Sequence, residues 1–399
     1  MSRQVQDAYV VAASRTPIGK APRGALRTVR PDDLLIHVLR AALAQVPGLD
    51  PGRIQDAIIG CAMPEGAQGM NVARISTLLA GLPQSVGAVT VNRFCASGLT
   101  AVAMAADRIR VGEADVMIAG GTESMSMVPM MGINPSLNPR VFEGDENIGI
   151  AYGMGLTAEK VAAQWQVSRE DQDAFALASH QKALAAQQAG EFKDEIAPIE
   201  VVTHFPDLEA EKVAVRKRTM SLDEGPRADT SAEALARLRP VFAAKGSVTA
   251  GNSSQTSDGA GALVLVSERA LKEFNLVPLA RFVTATVRGV PPEIMGIGPK
   301  EAVPAALRQA GLSLSDIDWI ELNEAFAAQS LAVIRDLGLD PARVNPMGGA
   351  IALGHPLGAT GAIRASTVVH ALRRRNLKYG MVTMCVGTGM GAAGIFERV

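Results

Sequence analysis

Val116-Met117-Ile118-Ala119-Gly120-Gly121-Thr122 is an apolar run closed by two glycines and a threonine. Near the other end of the chain its pattern returns as Val382-Thr383-Met384-Cys385-Val386-Gly387-Thr388. The same offset, about 265 residues, relates two further pairs of stretches. Ile54-Gln55-Asp56-Ala57-Ile58-Ile59 matches Ile317-Asp318-Trp319-Ile320-Glu321-Leu322, and Ser97-Gly98 aligns with Thr360-Gly361, each opening a helical run of small residues. A constant offset over several segments marks a duplicated unit. The competing explanation is accidental likeness between two α/β units, which are common.

Around the first copy, residues 9–13, 56–61, 86–91 and 114–119 read as strands, and residues 31–45, 70–80 and 96–110 as helices. Pro31 sits in the opening turn of the first helix, where proline is tolerated. This alternation predicts a layered α/β unit around a buried, mostly parallel sheet. Residues 122–250 read differently. A Met- and Pro-rich stretch (125–139) leads to a helix signalled by the capping pattern Ser168-Arg169-Glu170-Asp171 and running to about residue 189. A charged section (209–218) and a polar loop (249–261) follow. A long excursion from an α/β core commonly covers a binding site.

The 399 residues allow two or three domains and a large core. Apolar residues make up 48% and charged residues 20%, an ordinary globular composition, and a net charge of −1 leaves no footprint for nucleic acid. No apolar run approaches ~18 residues, so no membrane span is expected. Three cysteines, an odd number in a long chain, argue against a disulfide framework and for a reducing compartment. Residues 1–7 lack a signal pattern, and Phe396-Glu397-Arg398-Val399 is no Ser-Lys-Leu address, so a cytoplasmic location is expected.

Two of the scarce thiols occupy glycine-rich turns. Cys95, in Asn92-Arg93-Phe94-Cys95-Ala96-Ser97-Gly98, stands between a strand and a helix. There the helix dipole and free amide N–H groups favour a thiolate and suit an oxyanion. Cys385 ends an apolar strand and aligns across the repeat with Ala119, so the two thiols hold different structural positions. His355, in Gly354-His355-Pro356-Leu357-Gly358, reads as a proton acceptor for a thiol or a donor to a carbonyl oxygen. Asn323, in Asn323-Glu324-Ala325-Phe326-Ala327, reads as a helix cap or as a group that positions a water or carbonyl near the histidine. Cys61 has no evident partner and reads as structural. Taken singly, Cys95, Cys385 and His355 also fit buried structural roles.

Together these stretches, with Gly120-Gly121-Thr122-Glu123-Ser124-Met125-Ser126 and Cys385-Val386-Gly387-Thr388-Gly389, make the chain resemble the thiolase family from end to end, most of all its degradative 3-ketoacyl-CoA thiolases. The resemblance implies two βαβαβαββ halves in five layers (αβαβα) with an inserted loop domain. The first half would comprise residues 1–124 and 256–278, the loop domain residues 125–255 over the coenzyme A site, and the second half residues 279–399. It implies an acetyl-CoA C-acyltransferase in which Cys95 is acylated and His355 takes its proton. Asn323 would hold a water in the oxyanion hole that His355 helps form. Cys385 would move the proton of the acetyl α-carbon, and the N–H groups of Cys95 and Gly387 would form a second oxyanion hole. Ser254, Arg227, Met154 and Ala250 fall at substrate- and CoA-binding positions. CoA is a co-substrate, and no bound cofactor or metal is implied. Homodimers or homotetramers are, and a β-oxidation hydratase/dehydrogenase partner is compatible with the resemblance.

Two departures bear on the site. Thr388 stands where many members have glycine, which puts the Gly387 donor and the pocket width in question. Gly153 stands where short-chain biosynthetic members tend to have histidine, which predicts room for a longer acyl chain. The alternatives are a biosynthetic, acetoacetyl-CoA-forming thiolase, a decarboxylating synthase with no second catalytic thiol, and a non-catalytic acyl-CoA binder on the same fold.

Overall fold

A computed structural model describes residues 5–399; residues 1–4, part of the stretch read for a signal pattern, lie outside the described residues. The strands are β1 (Ala8–Arg15), β2 (Gly19–Lys20), β3 (Asp56–Gly60), β4 (Gly87–Val91), β5 (Val116–Ser124), β6 (Ile199–Asp207), β7 (Lys212–Met220), β8 (Ser257–Ser267), β9 (Ala280–Gly289), β10 (Ile317–Leu322), β11 (Tyr379–Val386) and β12 (Met390–Glu397). Hydrogen bonding runs in the order β4-β3-β5-β8-β1 and continues as β9-β12-β11-β10. The second series repeats the first in reverse. The place of β4 beside β10 is taken by a parallel bridge from Ile320 to Val344. The two series meet through three residue pairs, Ala8–Val10 against Ala280–Phe282.

The sheet is mixed, not mostly parallel as the alternation suggested. β3–β4, β3–β5 and β10–β11 are parallel, but β8 and β12 return antiparallel beside β5 and β11. β11 and β12 are joined by the short turn 387–389, which permits only an antiparallel return. β8 also takes over residues 257–261 of the expected polar loop, and the charged section belongs to the hairpin β6–β7.

Period-2 side-chain alternation sorts the strands onto three apolar layers. Ile59, Val116, Ile118 and Val264 face helix Pro31–Ala44. Ile58, Met117, Leu263, Met384 and Phe396 face the central helices Ser97–Arg110 and Leu357–Arg374. Met381, Ala393 and Ile395 face helix Gly298–Ala310. Three apolar interfaces separated by strands give the five layers. Fifteen of the eighteen residues of Leu357–Arg374 are buried, as expected of a helix enclosed on every side.

The central helices cross at the repeat-aligned glycines. A Cβ on Gly98 would lie 2.6 Å from the Ala362 backbone nitrogen, and one on Gly361 would lie 2.1 Å from that of Leu99. Only hydrogen fits at either point. Gly361→Ala is therefore expected to force the helices apart, at a cost of about 1–3 kcal/mol. Thermal melting should show a midpoint lowered by several degrees, whereas an unchanged midpoint would mean that the crossing yields.

Candidate active site

Both crossing helices carry a candidate chemical group just before their first turn. Cys95 lies in the 3₁₀ turn Phe94–Ala96 ahead of Ser97–Arg110. The Ser97 hydroxyl fixes this turn, accepting from Arg93 N (2.8 Å) and donating to Phe94 O (2.7 Å), and Phe94 takes φ +43°. His355 lies just before Leu357–Arg374. Leu357 packs in one apolar cluster with Cys95 and Met125, which brings the two turns together.

The Cys95 thiol is buried and faces the N–H groups of Gly387 and of Cys95 itself. Burial pushes its pKa up to about 11, and the two amides offset only part of that rise, with Glu123 adding to it. The amide N–H groups do favour the thiolate, as expected, but burial is the larger effect. Loss of hydration outweighs the amide dipoles, and Cys95 rests as a thiol. Cys385 lies within electrostatic reach of Cys95, and its thiol is raised first by burial and then by that neighbour. Met154 and Phe94 flank the Gly387 amide, since a side chain there would meet Met154 Sδ at 3.6 Å and the Phe94 ring at 3.8 Å. Met154 also packs with Cys385, Phe326 and Met295.

His355 Nδ1 is 2.7 Å from Thr360 Oγ1, and Nε2 is 3.3 Å from Asn323 Nδ2. With the Asn323 amide donating, Nε2 is the acceptor and Nδ1 carries the proton toward Thr360. Burial first, and then Arg364, lowers the His355 pKa to about 3, so the imidazole is neutral. Asn323 does not cap the following helix, as one reading had it. Helix Ala327–Leu337 begins after Phe326, and Gln329 accepts from Phe326 N and donates to Asn323 O. The Asn323 side chain is thereby released toward His355, and its buried Oδ1 has no hydrogen-bond partner among the described residues.

Thr388 lies outside the buried cluster around Cys385. It is exposed at φ +65°, with its hydroxyl donating to Gly387 O at 2.5 Å, and the Gly387 N–H still faces Cys95. Cys61 does have a partner, the Glu123 carboxylate at 3.9 Å. Glu123 itself is buried and accepts from Ala62 N (2.7 Å), Met63 N and Gly358 N (2.8 Å), anchoring the helix behind His355. Glu324 does the same for the turn before His355, accepting from Ser179, Asn345 and Ile351 N. Glu123, Glu324 and Thr360 went unassigned in the sequence, although an acid within an apolar run was the available signal for the first.

The expected CoA contacts separate into two places. Arg227 and Ala250 line a cleft of about 340 Å³ together with Lys20, His180, Leu238 and Gln255. Arg227 pairs with Asp229 (2.9 Å), and His180 Nδ1 accepts from Arg227 N at 3.2 Å. Ser254 stands next to Gln255 on the same segment, its N–H donating to Ala325 O (2.9 Å). Met154 is at the thiols instead. A Cβ on Gly153, directly before Met154, would meet no atom within 4 Å.

A buried thiol under two amides, a second thiol beside it, and a neutral histidine next to an asparagine form an arrangement suited to acyl transfer. Residues 8–269 match the N-terminal domain of thiolase and residues 276–398 its C-terminal domain. The chain is 52% identical over 394 residues to the 3-ketoacyl-CoA thiolase of Bacillus subtilis (strain 168), covering 98% of this chain and 100% of that one. The crystal structure of human mitochondrial 3-ketoacyl-CoA thiolase in complex with CoA superposes with a TM-score of 0.88 at 40% identity, covering 99% of both chains. That of the Bacillus anthracis acetyl-CoA acetyltransferase gives 0.89 at 40% identity over 100% of each. The chain belongs to the thiolase family and is an acyltransferase.

The two buried imidazoles set an acid limit on the fold. In the unfolded chain both protonate below about pH 6.5. In the folded chain His180, with its pKa lowered by burial and then by Arg227, does so at about 4, and His355 at about 3. Below pH 6.5 the unfolded state binds more protons, so stability falls as pH drops through that window. Denaturant midpoints should be lower at pH 5.0 than at pH 7.5, and the drop should be smaller in a His180→Gln/His355→Asn double variant. An equal drop in both proteins would contradict this origin.

Proposed function

We propose that the chain cleaves 3-ketoacyl-CoA with CoA to give acetyl-CoA and an acyl-CoA shortened by two carbons, in fatty-acid β-oxidation in the cytoplasm. The observation that carries the reading is the Gly387 amide on the Cys95 thiol, with Cys385 as the adjacent second thiol. Cys95 Sγ attacks the C3 carbonyl as its proton passes to neutral His355 Nε2. Because Cys95 rests as a thiol, this transfer accompanies attack. The C2–C3 bond breaks, leaving acyl-Cys95 and an acetyl-CoA enolate. The amides of Cys95 and Gly387 hold the C3 oxygen of the adduct on Cys95, the His355–Asn323 side holds the enolate oxygen, and Cys385 protonates the enolate carbon. The CoA thiol then attacks the acyl-Cys95 thioester, giving up its proton to Cys385 and releasing shortened acyl-CoA, while the His355 proton returns to Cys95. The cycle is ping-pong.

Lys20 and Arg227 make the cleft suited to the phosphates of CoA. The β4 edge, with exposed Val89 and no further strand beside it among the described residues, suits pairing with a second copy and supports a homodimer or homotetramer. A 3-ketoacyl-CoA arises by oxidation of a 3-hydroxyacyl-CoA, so a hydratase/dehydrogenase is the proposed partner. A biosynthetic role, condensing two acetyl-CoA, uses the same groups in reverse; the open space at Gly153 favours the longer-chain reading.

Mass spectrometry after incubation with 3-ketodecanoyl-CoA should find a decanoyl-chain remnant, octanoyl, on Cys95; no adduct would point to a binder. Thiolysis should be abolished in Cys385→Ala, at least about a hundredfold down in kcat, whereas near-normal turnover would exclude the second-thiol role. In a substrate series, kcat/KM should be higher for 3-ketodecanoyl-CoA than for acetoacetyl-CoA. A strong preference for acetoacetyl-CoA would reverse the chain-length assignment.

A further inference from the structure

Gln255 lies at the end of the inserted region, two residues before β8, and nothing in the proposed chemistry uses its side chain. It stands, half-buried, where the coenzyme cleft and the histidine turn meet. Its side-chain amide donates to Gly225 O (3.1 Å) on one side and to Ile351 O (3.1 Å) on the other, with Ala352 O at 3.4 Å sharing the second hydrogen. Its backbone carbonyl accepts from His355 N at 3.2 Å and from Ser257 Oγ at 2.8 Å. The same Ser257 hydroxyl accepts from His355 N at 3.1 Å. Gly225 lies two residues before Arg227 in the cleft wall, and Ile351 and Ala352 lie in the short turn of helix that delivers His355.

We infer that Gln255 is a positioning residue that ties the cleft wall at Gly225–Arg227 to the turn holding His355, so that coenzyme seated in the cleft and the proton acceptor are held in one frame. The inference rests on the thiolytic reading of this site. Its physical basis is that three backbone carbonyls from two separate segments converge on one amide and would otherwise face one another without a donor. Neither segment is linked to the other by a strand ladder at this point, and small displacements of a proton acceptor from the nucleophile are costly to rate.

The test compares wild type, Gln255→Leu, Gln255→Glu and, as a remote core control, Leu39→Ala. Steady-state thiolysis gives kcat and KM for CoA, and acylation of Cys95 by 3-ketoacyl-CoA without added CoA isolates the first half-reaction. Gln255→Leu and Gln255→Glu should lower kcat and slow acylation about tenfold or more, and raise KM for CoA severalfold. Leu39→Ala should lower the melting midpoint while leaving both kinetic constants within about twofold. Should Gln255→Leu fail to fold, Gln255→Glu, which keeps the shape and loses the donors, carries the comparison alone. Wild-type kinetic constants in the Gln255 variants, or an equal kinetic loss in Leu39→Ala, would overturn the inference. Absence of thiolysis in the wild type would instead overturn the functional reading.

Discussion

The back-to-back crossing of Ser97–Arg110 and Leu357–Arg374 is the contact on which the site depends. At Gly98 and Gly361 the two backbones approach so closely that neither position admits a methyl group. The crossing lies within the opening turns of both helices, and the turns just upstream carry Cys95 and His355. A rigid contact between helix starts thus fixes how Cys95 and His355 are placed relative to each other. The apolar layer around it, from Met117 and Leu263 to Met384 and Phe396, holds the crossing from both sides.

Around this dry centre, buried carboxylates act as fixed anchors rather than as chemical groups. Glu123 gathers the amides of Ala62, Met63 and Gly358, and Glu324 gathers Ser179, Asn345 and Ile351 N. Burial raises the pKa of both, and the converging hydrogen bonds pull the other way. The same low-polarity surroundings explain the resting state of the site. Cys95 stays a thiol and His355 stays neutral, because separate charges at either would be poorly solvated. In the proposed cycle, charge is created only when a carbonyl oxygen is present to share it with the amides of Cys95 and Gly387.

Much of the first half was legible from pattern. Strands at 8–15 and 56–60 and helices at 31–44 and 97–110 fall within one to three residues of their expected ends, since their apolar periodicity is strong and Pro31 and the glycines mark their limits. The hairpin β6–β7 was not legible, because its exposed, charged strands have little apolar alternation to betray them. The start of β8 was hidden in a Ser-, Asn- and Gln-rich stretch, and its Asp258 carboxyl finds partners far along the chain, in Ser124 and Ser126. Sheet direction was misjudged because local sequence carries no record of which neighbour a strand will pair with.

By itself the sequence determined the duplication, the identity of the chemically able residues and their placement in turns next to helices. Those properties reside in spacing and side-chain type, which are local. Only the tertiary structure decided that Gly387 turns its amide to Cys95, that Thr388 is exposed, that Asn323 meets His355 instead of capping a helix, and that burial raises the Cys95 thiol despite its two amides. These outcomes depend on burial and on groups apart in sequence, by 32 residues for Asn323 and His355, and the balance between lost hydration and new hydrogen bonds exists only once those groups have met.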